Sequence, residues 1–578
     1  MRVISASCER TAISRPFATR PGGAILVSKM LFFMRLLVGV MLASTAWAQS
    51  SLVGGALEGA VTDSTGARIP GATVTARDVS THQAREVTTN GEGIFRIQEL
   101  APGTYEISVS QPGFAAYRHA GITIQLGATT HLDVGLQSAG VGTQITVTAQ
   151  PPPIDPTQTS VNSAVDKERI EELPVESRNY LNFTLLASGV ASSAQQQGGH
   201  SLTPLADSGF TFGGLRGRSN NVTIDGLDNN DEFVGASRTE LSLETVQEFQ
   251  VVNSGLSAET GGASGGSINV ITRIGANSIH GDAFIFDENG SLNARQSFRD
   301  GESSAQPTAL PDGVALGGPL VKNRTFYYAA FEQEHNRGLE DSFISTPLAT
   351  AVNQILASGA FPRLAGFRIN DGFFPVSRAE TEASAKINHQ LNAKNSLMLR
   401  YAFTDNREAG DAFNTGGWTD PSARGSRFIR DEAVVGSLTT IFTPQSVGDL
   451  RFQIADRRAV LRTNDTDVPG IDIAGLLNFG RPYDGDSRRT ETHDQITYTY
   501  SHATGGRHLW KAGATFNRVN LDASIADGFG GMYIFADLAD FAAGQPNMFR
   551  QAFAPSIPLM QSKTLAGLFK ITGRLRAD

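Results

Sequence analysis

Apolar and polar residues alternate with a period of two along many stretches of this chain. In residues 396–404 the odd positions are apolar or aromatic, while Arg400 and Thr404 share the opposite side. The same alternation marks three further stretches of the C-terminal half, at residues 450–454, 495–501 and 508–518. A period of two is typical of β-strands with one apolar and one polar face. We therefore predict that the C-terminal half consists of amphipathic strands.

Shorter alternating runs lie nearer the N-terminus, between about residues 57 and 136. Clear examples are residues 72–76, 106–109 and 122–126. Pro102 and Gly103 fit the central positions of a type II turn, because proline fixes φ and glycine tolerates a positive φ. Several short strands joined by glycine-rich turns predict a β-sandwich of two sheets.

Four pieces of this sandwich resemble the carboxypeptidase regulatory-like domain family. They are residues 59–63 (GAVTD), 69–74 (IPGATV), 90–95 (NGEGIF) and 100–106 (LAPGTYE). The resemblance implies a prealbumin-like sandwich of the carbohydrate-binding-like group at residues 52–138. None of the ten histidines is followed three residues later by glutamate, the spacing with which the zinc site of carboxypeptidases begins. We therefore expect a non-catalytic spacer or docking module, with sugar binding as the alternative.

The composition limits the classes of protein to which the chain can belong. With 578 residues it is too long for one ordinary domain. It has 61 glycines and 18% charged residues, and its hydrophobic residues form no membrane-length run, as in strands that alternate between lipid and lumen. The net charge of -9, without clustered lysine and arginine, argues against nucleic acid as a partner. We predict no cofactor, no metal site and no catalytic residues.

The N-terminus has the pattern of a secretory signal peptide over residues 1–48. Arg35 precedes an apolar run at residues 36–43, which is shorter than the ~18 residues that a membrane-spanning helix needs. Small residues follow at the spacing that signal peptidase recognises. The single cysteine lies before this point, so the mature chain is expected to have none. The predicted cleavage site consists of Ala46, Ala48 and Gln49, with Gln49 as the first mature residue.

Two glycine-rich blocks occupy the middle of the chain. Residues 244–298 hold a strand-like run, a glycine-serine hinge and a second β-branched run, and residues 212–231 read FGGLRGRSNNVTIDGLDNND. Both blocks resemble the plug domain of TonB-dependent outer-membrane receptors of the Oar-like kind. The resemblance implies an α+β plug at residues 158–280 and the first part of a transmembrane antiparallel β-barrel at residues 281–578. It also implies the outer membrane of a Gram-negative bacterium, with the N-terminal domain in the periplasm.

A short β-prone piece lies in the linker between sandwich and plug, at residues 139–157. Three prolines follow it and favour an extended conformation. In the resembled family this position holds the TonB box, which the inner-membrane TonB complex captures by strand addition through backbone hydrogen bonds. The alternative is that the piece is the last strand of the sandwich. The candidate TonB box comprises Ile145, Thr146, Val147, Thr148 and Ala149.

The length of the barrel region departs from the resembled family. The roughly 300 residues after the plug supply about ten to fourteen spans, whereas the family builds a barrel of about 22 strands. The chain ends in RLRAD, without the terminal aromatic residue of the family. An open barrel would expose unpaired strand edges to hydrocarbon. We therefore expect a truncated gene, a frameshifted copy or a fragment.

The resemblance implies a receptor that takes up a ligand across the outer membrane with energy from the TonB complex. The expected partners are TonB, outer-membrane lipid and an external ligand, for which an oligosaccharide, a peptide and a metal chelate all remain open. The alternatives are a secreted or surface β-sandwich binding protein and a non-functional truncated receptor. The acidic loop at residues 225–232 suggests a calcium site less than it suggests a polar turn, since its spacing is not that of an EF-hand.

Overall fold

A computed structural model describes the chain as mainly β. The described residues are 53–138, 145–147, 161–173, 178–193, 209–256, 259, 261–287, 308–411, 418–465, 467–483, 485–504, 508–525, 528–552 and 560–566. Among them, no helix has the length and apolar character required to cross a membrane.

The N-terminal domain is the predicted sandwich of two sheets. Its strands are β1 (Gly55–Asp63), β2 (Thr73–Asp78), β3 (Ala84–Thr88), β4 (Ile94–Leu100), β5 (Gly103–Ser110), β6 (Tyr117–Ile124), β7 (Thr129–His131), β8 (Val134–Leu136) and β9 (Ile145–Val147). One sheet has the order β4-β1-β7, with β8 also paired to β1, and the other has the order β3-β2-β5-β6-β9. Their inner faces meet in a core that includes the fully buried Leu57, Val74, Ile107 and Ile122.

The plug is a mixed sheet with short helical segments. Its strands are β10 (Val161–Val165), β11 (Val190–Ser192), β12 (Phe210–Phe212), β13 (Asn221–Ile224), β14 (Leu227–Asp228), β15 (Val246–Ser254) and β16 (Ser267–Thr272), and its α-helix is α1 (Lys167–Glu172). The main sheet has the order β10-β15-β16-β13-β14, in which only β13 and β16 run parallel. Every residue of β16 is buried, so both faces of the sheet are covered. The two strand-like runs around the glycine-serine hinge are thus confirmed as β15 and β16.

The C-terminal half forms long antiparallel strands joined by connections of very different length. The elements are β17 (His280–Ile285), β18 (Thr308–Val321), β19 (Thr325–Asp341), α2 (Thr346–Ala357), β20 (Phe373–Asn392), β21 (Asn395–Asp411), β22 (Gly425–Thr443), β23 (Ser446–Thr463), β24 (Gly470–Ile473), β25 (Leu477–Phe479), β26 (Ser487–Thr504), β27 (His508–Ile525), β28 (Met532–Phe535), α3 (Leu538–Ala542), β29 (Met548–Arg550) and β30 (Met560–Ala566). Ten of them form one sheet in the order β17-β18-β19-β20-β21-β22-β23-β26-β27-β30.

The two faces of this ten-stranded sheet differ as the alternation predicts. On β21, Leu397, Leu399 and Tyr401 are exposed, whereas Arg400 and Ala402 are buried. The buried face meets the plug, since Ala402 belongs to the hydrophobic core of the plug. The exposed apolar band suits lipid, and the opposite face is polar, as in outer-membrane barrels. The fold predicted from the sequence, a sandwich followed by a plug and part of a barrel, is confirmed.

The long connections of the barrel sheet fold together at one end of the strands. The sheet β25-β24-β28-β29 combines residues from two connections, and α2 comes from a third. They share a core in which Phe361 stacks on Phe541 with ring centroids 4.7 Å apart, next to the buried Phe479 and Val352. A separate apolar core gives these connections a defined structure of their own.

Candidate functional site

Several of the buried charged residues that the structure describes lie at the interface between plug and barrel. Asp225 lies directly after β13 in a left-handed conformation (φ 51°), which turns its carboxylate toward the barrel. Its oxygens lie 3.2 Å from Lys386 Nζ and 2.7 Å from Arg400 Nε, on β20 and β21. Thr272, at the end of β16, donates its hydroxyl to the same carboxylate at 2.9 Å. We call these four residues the Asp225 cluster.

The charge of the Asp225 carboxylate is stabilised despite its burial. Burial by itself raises the pKa of a carboxyl group, but Lys386 and Arg400 favour the charged form more strongly. The hydrogen bonds from the backbone and hydroxyl of Thr272 act in the same direction. The pKa of Asp225 therefore lies well below its usual range, and the plug presents a fixed negative charge to the barrel.

A second cluster surrounds Asp231, which follows the short strand β14 of the plug. This residue is fully buried, and its carboxylate accepts hydrogen bonds from Arg457 on β23, at 2.8 Å, and from Arg489 on β26. Arg489 also lies 3.2 Å from Glu491, and its guanidinium stacks over the ring of Phe233 at 5.0 Å. Burial opposes the charge of Asp231, yet the two arginines hold its pKa well below the usual range. We call Asp231, Arg457, Arg489 and Glu491 the Asp231 cluster.

A third contact fixes the opening segment of the plug. Arg178 has a positive φ of 49° and reaches two carboxylates, Glu332 on β19 at 2.6 Å and Glu244 of the plug at 3.0 Å. Its guanidinium carbon lies 4.0 Å above the ring centroid of Phe284 on β17. The plug therefore supplies the anion in the Asp225 and Asp231 clusters and the cation in the contact between Arg178 and Glu332.

These contacts can retain the plug in the barrel. A buried ion pair adds little net stability compared with apolar packing, but removing one partner leaves an uncompensated buried charge. Each cluster therefore favours a single seating of the plug. The sequence singled out residues 225–232 and the polar side of β21 with Arg400, but it did not identify Lys386, Arg457, Arg489 or Arg178. For Lys386, Arg457 and Arg489 the available signal was a basic residue on the polar face of a barrel strand.

Acidification is expected to loosen the plug only in strongly acidic solution. The pKa of both Asp225 and Asp231 is lowered from the ordinary value of 3.8, so their contribution is complete above about pH 4 and is lost as the pH falls further. Urea denaturation of the plug at pH 7, 5 and 3 measures this dependence. The Asp225→Asn variant should lose less stability below pH 4 than the native chain. A marked loss already between pH 7 and pH 5 would contradict the assignment.

Carboxylates gather at one further point of the interface. Glu240 of the plug lies close to Glu380 and Glu382 on β20, with carboxylate oxygens within 4.8 Å of one another. Arg378 lies 2.7 Å from Glu380 and supplies positive charge. The acidic loop at residues 225–232 is different, because its Asp225 and Asp231 are paired with cationic side chains of the barrel. This pairing favours the polar turn over a calcium site.

The candidate TonB box falls partly within the described residues. Ile145, Thr146 and Val147 form β9, which pairs in parallel with β6, Arg118 being the partner of Thr146. β9 is an edge strand of the sandwich sheet. This position agrees with the alternative interpretation, in which the piece is the last strand of the sandwich. Thr148 and Ala149 lie outside the described residues, as do Ala46, Ala48 and Gln49 of the predicted cleavage site. Capture by TonB and cleavage before Gln49 therefore stay predictions.

Two family models match this chain. The carboxypeptidase regulatory-like domain matches residues 56–137. The outer membrane beta barrel domain matches residues 271–365 and 346–569, which together are more than half of the chain. The second match agrees with the lipid-compatible outer face of the ten-stranded sheet.

The chain is also similar in sequence or in structure to several known transporters and receptors. The TonB-dependent transporter Oar of Myxococcus xanthus is 28% identical over 315 residues, which are 52% of this chain and 28% of Oar. The outer membrane transporter YddB from Escherichia coli aligns at 12% identity with a TM-score of 0.49, over 70% of this chain and 53% of YddB. The siderophore receptor PirA from Acinetobacter baumannii aligns at 14% identity with a TM-score of 0.41, over 64% of this chain and 48% of PirA. The chain thus spans about half of these solved structures and less than a third of Oar.

Proposed function

Because this chain belongs to the outer membrane beta barrel domain family, we propose that it acts as a TonB-dependent receptor, which takes up an external ligand with energy from the inner-membrane TonB complex. Its place is the outer membrane, in keeping with the barrel match and its similarity to Oar. The relatives that it matches are transporters and receptors, which agrees with a protein that performs no covalent chemistry. We assign no catalytic residue and no cofactor.

The observation that carries this proposal is the seating of the plug against the polar face of the barrel. The plug is better suited to act as a gate than as a permanent core, because buried charged pairs hold it against the barrel strands. A charge that leaves an ion pair in a wet lumen can be solvated by water, whereas an apolar core that is pulled apart exposes its whole surface. The Asp225 and Asp231 clusters thus hold the plug in one position and still permit its displacement by force.

The segment at residues 145–149 supports the coupling step. A strand at the edge of a sheet has one set of unpaired backbone groups, which a partner strand can bind. The segment also connects the sandwich to the plug, so a pull on it is transmitted to the plug. The ligand is an oligosaccharide, a peptide or a metal chelate, and the folded long connections at one end of the barrel are placed to contact it first.

Replacing Val147 with proline is expected to abolish capture by TonB, whereas Val147→Ala should keep most of it. Proline removes a backbone donor and disrupts an extended ladder, while alanine keeps every main-chain group. Site-specific cross-linking to TonB and uptake by cells, both in the full-length receptor, measure the effect. Loss of cross-linking with proline alone supports a coupling strand here. Cross-linking that survives Val147→Pro would place the coupling strand elsewhere.

A further inference from the structure

The loop between β6 and β7 of the sandwich docks on the plug through a single residue. The backbone N–H of Leu126 donates to Glu248 Oε1 at 3.0 Å, and its carbonyl accepts from Gln250 Nε2 at 3.3 Å. Glu248 and Gln250 are two residues apart on β15 and therefore share one face of the strand. All three residues are buried. The plug thus binds both backbone groups of one sandwich residue with two neighbouring side chains.

The next residue of the loop adds a steric requirement. Gly127 has a positive φ of 66°, and a Cβ at this position would lie 2.6 Å from Nε2 of Gln250. A side chain here would displace the amide that holds Leu126. The loop can approach β15 closely because residue 127 is glycine.

A second point of attachment lies at the end of the plug. The backbone N–H of Asn277 donates to the carbonyl of Ser80 at 3.0 Å, and its side-chain amide donates to the carbonyl of Thr81 at 2.7 Å. Ser80 and Thr81 belong to the turn after β2 of the sandwich. Two separate turns of the sandwich are therefore bound by polar groups of the plug, which is the pattern of an interface with a defined orientation.

Glu248 is the titratable group of this contact. It is 4% exposed, and the groups that act on its carboxylate are the amide of Leu126 from the sandwich and the carboxylate of Asp166, which precedes α1 of the plug. Burial raises the pKa of Glu248 to about 7, opposed by the Leu126 amide and supported by repulsion from Asp166. Undocking is expected to return the carboxylate to water, since the amide of Leu126 covers its Oε1 in the docked state.

We propose that the sandwich is a reversible latch on the plug, and that a proton on Glu248 strengthens the latched state. The sandwich then has a binding partner within its own chain, namely the face of β15 that carries Glu248 and Gln250. The docking equilibrium requires neither TonB nor an external ligand. It therefore holds or fails independently of the proposed transport.

The direction of the pH dependence follows from the two states of Glu248. The docked state binds the proton more tightly, because its pKa of about 7 exceeds the ordinary value of 4.5. Docking is therefore weakest above pH 7 and strengthens as the pH falls through 7. Between pH 8 and pH 6 the ratio of docked to undocked chains should rise about tenfold.

The distance between two spin labels measures the docked fraction in the full-length protein. The labels are attached at the exposed positions Ser110→Cys in the sandwich and Ser254→Cys in the plug, in a Cys8→Ser background. The tenfold change between pH 6 and pH 8 should disappear in Glu248→Gln, which keeps an acceptor for Leu126 but does not titrate. Gly127→Ala should lower the docked fraction at both pH values. Gly113→Ala is the matched control, since Gly113 also has a positive φ in the sandwich but faces open space.

A double substitution separates the contact from general damage to the sandwich. In a Gln250→Ala background, Gly127→Ala should cost much less docking than in the native chain, because the displaced amide is already absent. Equal effects of Gly127→Ala and Gly113→Ala would overturn the docking site. A docked fraction that does not vary with pH in the native chain would overturn the role of the proton on Glu248. A single docked population in every variant would show that the latch does not open.

Discussion

Replacing Asp231 with asparagine is expected to loosen the plug by about 3 to 5 kcal/mol, because it leaves buried arginines short of a carboxylate. In the native chain Asp231 is fully buried and binds both Arg457 and Arg489. Asparagine has nearly the same shape, so the change removes charge without creating a cavity. Glu491 and Asp431 remain beside the two arginines and keep the effect from becoming larger.

Hydrogen exchange of the plug amides measures this loss as a free energy of local opening. We expect the largest change at β13 and β14, which flank the loop that carries Asp225 and lead to Asp231. Glu106→Gln is the control, since Glu106 is exposed and lies 3.6 Å from the exposed Arg118 on the surface of the sandwich. An exposed pair of this kind contributes at most about 1 kcal/mol. Native protection in Asp231→Asn would show that other contacts hold the plug.

Replacing Gly266 with alanine is expected to destabilise the plug by about 1 to 3 kcal/mol or more, through overpacking of its core. A Cβ at residue 266 would lie 2.1 Å from the ring of Phe212, which is 1% exposed and has no room to retreat. The ring therefore moves only if β12 or the start of β16 moves with it. Urea denaturation of the plug, followed by its near-ultraviolet circular dichroism, measures the loss.

Gly261→Ala is the matched substitution for this experiment. Gly261 belongs to the same glycine-serine hinge, but a Cβ there meets no atom within 4 Å. We expect a change within about 0.5 kcal/mol, as for other exposed positions. Equal losses for Gly261→Ala and Gly266→Ala would mean that the hinge needs flexibility along its whole length. A loss confined to Gly266→Ala identifies close packing against Phe212 as the reason for the glycine.

The contrast between these two glycines shows where sequence reasoning reaches its limit. The hinge was recognisable because small residues beside β-branched runs predict a close approach of backbones. Which of the two glycines is required depends on contact with Phe212. This residue lies 54 positions before Gly266 in the chain. A pattern along the chain carries no information about such a distant neighbour.

The same distinction holds for the charged residues. Residues 225–232 were a recognisable acidic turn, and Arg400 was predicted on the polar face of its strand. Their pairing joins positions that are 175 residues apart, and that of Asp231 with Arg489 spans 258. The identity of each partner depends on how far the plug enters the barrel and on the register of the strands.

The sequence by itself determined that this protein is mainly β, since a period of two is a local property that fixes which side of a strand is apolar. The order of sandwich, plug and barrel was implied by the resemblance of its motifs to two families, and the alternation alone does not give it. The tertiary structure alone decided which charges meet at the plug and that the sandwich docks on β15 through Leu126. Those contacts join residues that are distant in the chain, and each depends on the position of whole domains rather than on a local preference of the backbone.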